Sequence, residues 1–385
     1  MRKLGIDSAA YKIKVIFGTR PEAVKLVPVI KALKSDSAFD VSVLVTAQHR
    51  QMLDQMLSLY GLAADHDLDI MTDNQVIVDV TSKCLSGVDS ILKADRPDMI
   101  IVQGDTTTAF ASALAAFYNK IAVGHVEAGL RTRDRFSPFP EEINRRLVGV
   151  LADLHFAPTK QAADNLLNDG VPPESIKITG NTVVDALMHI SEQPYDIDQC
   201  YPDLAAFIKE HPRFILVTAH RRESFGEPFE DMCRAMRGIV DQHDDTAIIY
   251  PVHPNPNVRE TVDSILRGHP SIFLAEPLDY LCFVHLMKRS YLLLTDSGGV
   301  QEEGPTFSKP VLVMRDNTER PEGVEAGVAQ LVGTSYKKIT ETVVRLLADR
   351  QAYDNMALGV NPFGDGRASE RIVVAMHEYL DACKS

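Results

Sequence analysis

Short apolar runs alternate with longer stretches of helical period along most of the chain. "KIKVIFG" leads into a helix opening at Pro21, a proline suited to a first helical turn. "VSVLVT", "MIIVQGD", "IAVGHVEA" and "LHFAPT" follow as strand candidates, each succeeded by helix-compatible sequence. Apolar strands separated by helices predict parallel βαβ units with helices on both faces of a sheet. The alternation lapses in "YDIDQCYPDLAAFIKEHPR", from Tyr195 to Arg213, which reads as a linker. It resumes with "FILVTAH", "AIIYPVH", "SIFLA", "YLLLTD", "PVLVM" and "AQLVG".

This pattern predicts an α/β protein of two doubly wound, Rossmann-like domains in tandem. The expected division is 1–194, with 1–11 as an extension, then 195–366, then a helix over 367–385 that packs back on the first domain. An interdomain cleft would face the carboxyl ends of both sheets, where such sheets bind ligands. The unusual polar clusters sit just after predicted strands: "GTRPEAVK", "QGDTTT", "HVEAGLR", "TGNT", "TAHRRESFG", "YPVHPNPN" and "TDSGGVQEE". Rigid sheets position functional groups at such loops, so their agreement outweighs any single motif.

Composition narrows the class. A chain of 385 residues suits two domains, and its 45% hydrophobic and 24% charged content is that of a globular protein. A net charge of −13 argues against general binding to nucleic acid or an anionic membrane, though not against a local cationic pocket. Cys84, Cys200, Cys233, Cys282 and Cys383 are scattered without CxxC spacing and read as reduced thiols. No segment approaches the ~20 apolar residues of a membrane span, so a cytoplasmic protein is expected.

Several motifs have both a chemical and a bland reading. In "FGTRPEAVK", Arg20 and Lys25 stand beside a helix N-terminus, which suits a diphosphate and equally an ordinary surface turn. Neither GxxxxGK[ST] nor GxGxxG is present, so ATP and NAD chemistry lack their usual support. "TDSGGVQEE" places Ser297, Gly298 and Gly299 at a turn where backbone can approach a phosphate, with Glu303 one turn on for a ribose diol. With Arg20 and Lys25 expected to face it across a cleft, nucleotide binding is favoured over an ordinary tight turn. His220 and His253 end successive strands, which makes a cleft location more probable than for a lone histidine. No metal-site spacing accompanies them. Asp105 after "VQG" is first of all a helix N-cap candidate. In "GHVEAGLRTRDRFSPFPEEINRR", Pro140 suits a first helical position, and Glu141–Arg145 and Glu142–Arg146 are i,i+4 pairs. That accounts for the helix, but not for Glu127 at a strand end.

"FGTRPEAVK", "TAQHRQMLDQ", "GDTTTA", "GHVEAGLRT", "SPFPEEINRR", "GNTVVDAL", "HRRESFG", "YPVHPNPNV", "TDSGGVQEE", "TERPE" and "NPFGDGRAS" together, in this order, closely resemble the non-hydrolysing UDP-N-acetylglucosamine 2-epimerases. The resemblance implies a GT-B-type fold, a homodimer, no redox cofactor, and interconversion of UDP-GlcNAc and UDP-ManNAc for a surface polymer. By motif it assigns acidic catalytic roles to Asp105, Glu127 and Glu141 and the essential histidine to His220. Arg20, Lys25 and Ser297–Gly299 would hold the diphosphate, Glu303 the ribose, and Phe283 would lie near uracil. His253 and Arg320 match substrate-contact motifs, and Arg145 would support Glu141 or the substrate. Spacing does not assign which carboxylate takes the proton and which returns it. A regulatory nucleotide-sugar site seen in some members would use Gln48 and Gln51, but Asn74 stands where those members carry an arginine. The competing readings are a hydrolysing epimerase releasing ManNAc and UDP, a GT-B glycosyltransferase, and a catalytically silent nucleotide-sugar sensor.

Overall fold

The computed structural model describes residues 10–46, 57, 60–71 and 75–384; Gln48, Gln51, Asn74 and residues 1–9 of the expected extension lie outside them. The chain divides into two compact units. Unit 1 holds Met1–Ala186 and Gly364–Ser385, and unit 2 holds Leu187–Phe363. The division falls inside the helix Thr182–Ser191 rather than at Tyr195.

Unit 1 contains β1 (Tyr11–Phe17), β2 (Phe39–Val45), β3 (His66–Asp67), β4 (Met99–Gln103), β5 (Ala122–Val126), β6 (Leu154–Ala157) and β7 (Ile176–Ile178). Among the described residues they form one sheet in the order β3-β2-β1-β4-β5-β6-β7, with parallel pairing throughout. The central strands are buried on both faces, which explains their continuous apolar runs. In β1 Lys12 is exposed and Lys14 is a buried charge. Its buried ammonium donates to Ser42 at 2.8 Å and Asp95 at 2.9 Å. Tyr11, expected in the extension, instead begins β1, pairs in register with Phe39 and donates its hydroxyl to Asp381 at 2.5 Å. That bond fastens the helix Ala368–Lys384 to unit 1, where buried Asp185 also accepts from the backbone N–H groups of Ala368 (3.2 Å) and Ser369 (2.8 Å).

Unit 2 contains β8 (Phe214–Thr218), β9 (Ala247–Pro251), β10 (Ile272–Ala275), β11 (Leu292–Thr295), β12 (Val311–Val313) and β13 (Ala329–Leu331), ordered β10-β9-β8-β11-β12-β13. In both sheets strand order reverses beside the first strand, giving the crevice typical of doubly wound folds. The segment expected to be a linker is helical. Ile197–Cys200 and Pro202–Glu210 form helices, and Ile197, Leu204, Ala205 and Ile208 join the core against Phe214 and Leu216. Asp196 caps the first helix by accepting from Gln199 N. Their polar faces hid two short helices that belong to unit 2.

Gly129, just beyond β5, has φ +95°, and a Cβ there would lie 2.1 Å from the carbonyl oxygen of Ala162. Both the left-handed backbone and the close approach require glycine. Gly129→Ala is therefore expected to lose on the order of 3 kcal/mol of stability, read as a lower denaturant midpoint at unchanged slope.

Candidate active site

In unit 1 the candidate residues come from the loops after β1, β4 and β5, which are neighbours in the sheet. β5 ends at Val126, and Glu127 follows with φ +61°, an uncommon backbone conformation for a residue with a side chain. Such conformations persist where surrounding contacts enforce them. Here Gln103 Nε2 donates to Glu127 Oε2 at 2.7 Å, and the Lys25 ammonium pairs with the same oxygen. The carboxylate is buried but not isolated.

β4 ends at Gln103, and Gly104 (φ +68°) turns the chain into Asp105. The helix cap expected of Asp105 is made by Thr106, whose hydroxyl accepts from Ala109 N at 3.0 Å. Asp105 is thereby released for another partner. Arg145 donates to its Oδ2 from Nε at 3.0 Å and also from Nη2, and Asn144 Nδ2 donates to its carbonyl at 3.0 Å. Arg145 thus supports Asp105, not Glu141. The expected i,i+4 pairs are absent among the described residues, because Glu142 turns inward. Fully buried, it accepts from Thr132 N at 3.0 Å and Arg133 N at 3.2 Å, and Arg145 approaches it at 3.4 Å. Glu141 is half-buried in the same first helical turn.

His125 ties the two loops together. Its Nε2–H donates to the Gly104 carbonyl at 2.7 Å, and burial pushes its pKa down to about 3, so the ring is neutral.

The N-terminus of the helix Arg20–Lys34, which suits a diphosphate and an ordinary turn equally, receives a carboxyl group of the protein itself. Glu22 Oε2 accepts from Gly18 N (3.2 Å), Thr19 N (2.9 Å) and the Thr19 hydroxyl (2.7 Å), and Thr106 donates to Oε1 at 2.8 Å. The Thr-x-x-Glu spacing of "TRPE" is a capping-box signature that marks this contact. Arg20 occupies the first turn of this helix, half-buried, and Lys25 lies on Glu127.

In unit 2 the corresponding loops follow β8, β9 and β11, again neighbours. The rings of His220 and His253 stack with centroids 5.1 Å apart and planes at 11°. His253 Nδ1 accepts from Asn255 N at 3.1 Å, and burial together with the nearby His220 lowers its pKa. Asp296, fully buried at the end of β11, accepts from His220 N at 2.6 Å and Arg221 N at 2.7 Å. Ser297 precedes the helix Gly298–Glu303, so Gly298 and Gly299 form its first turn instead of the preceding loop. Tyr280 donates to Glu303 at 3.2 Å. Phe283 sits three residues on in the helix Tyr280–Arg289, half-buried against the core. Arg320 pairs through Nε with buried Glu302.

Two tandem doubly wound sheets, each with carboxylates, histidines or cationic side chains at its strand ends, define a protein of GT-B-type fold. A family model described as UDP-N-acetylglucosamine 2-epimerase matches residues 31–377. The UDP-N-acetylglucosamine 2-epimerase of Escherichia coli K12 is 51% identical over 368 residues, covering 95% of this chain and 98% of that protein. A crystal structure of a putative UDP-N-acetylglucosamine 2-epimerase from Listeria monocytogenes superposes with a TM-score of 0.91 at 47% identity, covering 97% of this chain and 98% of the other. The Neisseria meningitidis UDP-GlcNAc 2-epimerase, solved bound to UDP-GlcNAc, gives a TM-score of 0.83 at 44% identity, covering 95% and 100%. The chain belongs to the UDP-N-acetylglucosamine 2-epimerase family.

Four donors surround Glu22, yet complete burial outweighs them and pushes its pKa up to about 7. An unfolded glutamate titrates near ~4.3, so between these values the folded state holds a proton that the unfolded state has lost. Stability from this group is present at low pH and declines as pH rises through about 7. Glu22→Gln, which mimics the protonated carboxyl, should remove that decline. Thermal melts at pH 5 and pH 8 are expected to show the wild type losing ground to the variant at the higher pH.

Proposed function

We propose that the protein interconverts UDP-GlcNAc and UDP-ManNAc without net hydrolysis, by elimination and re-addition of UDP. The hydrogen on carbon 2 has no adjacent carbonyl, so direct abstraction is slow. Removal of that proton with cleavage of the carbon 1–oxygen bond expels UDP and leaves an unsaturated sugar. Re-addition of UDP at carbon 1, with protonation of carbon 2 from the other face, yields the epimer. No electron acceptor enters the balance.

The observation that carries this reading is Glu127. It is a buried strand-end carboxylate held in left-handed backbone conformation by Lys25 and Gln103. Asp105, locked by Arg145, and Glu141 supply the further acid and base groups the two faces require. His220, Arg20 and the backbone of Gly298 and Gly299 offset the charge on the departing diphosphate. Glu303 receives the ribose, Phe283 lies by the uracil, and His253 and Arg320 contact the substrate. Gln48 and Gln51 are the corresponding proposal for a regulatory site. The protein works as a cytoplasmic homodimer. Phe117, Tyr118 and Val150, large apolar side chains left exposed in unit 1, support such a pairing.

Incubated with UDP-GlcNAc in deuterated water without added cofactor, the protein is expected to place deuterium at carbon 2 of a product still bearing UDP. Free ManNAc as the main product would replace this reading with hydrolysis, and binding without exchange would replace it with a sensor. Glu127→Gln should keep the fold and UDP binding but lose ~10²–10⁴-fold in turnover; near-normal turnover removes Glu127 from catalysis. Light scattering of the purified protein should give twice the chain mass.

A further inference from the structure

We propose that Asp296 is a positioning residue that fixes His220 as its Nδ1–H tautomer and leaves Nε2 as the ring atom available to the reaction. Asp296 is fully buried, and its two oxygens are used unequally. Oδ2 accepts the consecutive backbone N–H groups of His220 and Arg221 at 2.6 and 2.7 Å. Oδ1 is buried with no hydrogen-bond partner. A buried carboxylate oxygen without a donor is costly and seldom left so. Among the described residues, one basic side-chain nitrogen lies within 4 Å of it: His220 Nδ1, at 3.7 Å.

The rest of the cluster points the same way. The backbone N–H of His220 and its ring address the two oxygens of one carboxylate, so a small turn of the ring about its side-chain bonds completes a two-point grip. The stacked His253 limits the other ring motions. His253 is itself committed, since its Nδ1 accepts from Asn255 N and its proton therefore sits on Nε2. Burial and the neighbouring His220 also disfavour a charge on it. The pair is thereby differentiated. His253 is a neutral stacking partner, and His220 is the imidazole backed by a carboxylate, an arrangement that fixes a tautomer and stabilises a proton gained during turnover.

Asp296→Asn tests this without dismantling the backbone contact. Its carbonyl oxygen still accepts from His220 N and Arg221 N, while its NH₂ now faces Nδ1 and demands the opposite tautomer. With ¹⁵N-labelled histidine, and His220→Gln to assign the signal, the UDP-bound wild type should show a protonated Nδ1 and the variant an unprotonated one. An Nε2–H tautomer in the wild type overturns the proposal, and this measurement needs no variant to fold. Turnover of UDP-GlcNAc should fall about a hundredfold or more in kcat, with KM and UDP affinity changed less than about threefold. A variant with the flipped tautomer and wild-type kcat also overturns it. The kinetic arm rests on the epimerase reading above. If the wild type itself fails to convert UDP-GlcNAc, that reading falls while the tautomer measurement still decides this one.

Discussion

Buried carboxylates that each accept two consecutive backbone N–H groups hold three loops and one helix start of this structure. Glu22 takes Gly18 and Thr19, Glu142 takes Thr132 and Arg133, Asp296 takes His220 and Arg221, and Asp185 takes Ala368 and Ser369. Beyond a strand end, in a loop or in the first turn of a helix, backbone donors have no ladder partner and must find others. A carboxylate, with two oxygens and several lone pairs, satisfies two at once and fixes the peptide planes between them. The cost is desolvation, visible in the raised pKa values of Glu22 and Asp185. Two of the segments fixed in this way carry the candidate residues Glu127 and His220.

The cations of the candidate site are similarly committed. Lys25 lies on Glu127, Arg145 on Asp105 and Arg320 on Glu302. Each pair is partly buried, so removal of one member would strand the other in a poorly solvated place. Substitutions of these arginines and the lysine thus report on the carboxylates as well as on any ligand.

Much of this was legible in the sequence, and the exceptions have physical causes. The apolar runs that are buried on two faces mark β1, β4, β5, β8, β9 and β11 directly. β3 went unread because it lies at a sheet edge, spans two residues and is not buried. The segment Tyr195–Arg213 looked like a linker because its helices bury only narrow faces. Sequence spacing paired Glu141 with Arg145 and Glu142 with Arg146 as i,i+4 partners on a surface. Sequence spacing cannot show that a helix rolls one acid into the core and lends its arginine to a loop some 40 residues earlier. The aspartate of "GDTTT" yielded its cap to the next threonine for the same reason, since the tertiary partner decided.

The return of Gly364–Ser385 to unit 1 bears on how the chain acquires its form. Tyr11 meets Asp381, and Asp36 meets His377, across more than 300 intervening positions. Unit 1 therefore closes only after all of unit 2 has left the ribosome. Until then the apolar face of β1's first helix, which the C-terminal helix covers, waits uncovered. Unit 2 is contiguous and can collapse on its own, and in doing so it shortens the effective tether between the two segments of unit 1. The inserted unit is in this sense an internal folding aid, and truncating the last turns of the chain would strike the half of the molecule that was synthesised first.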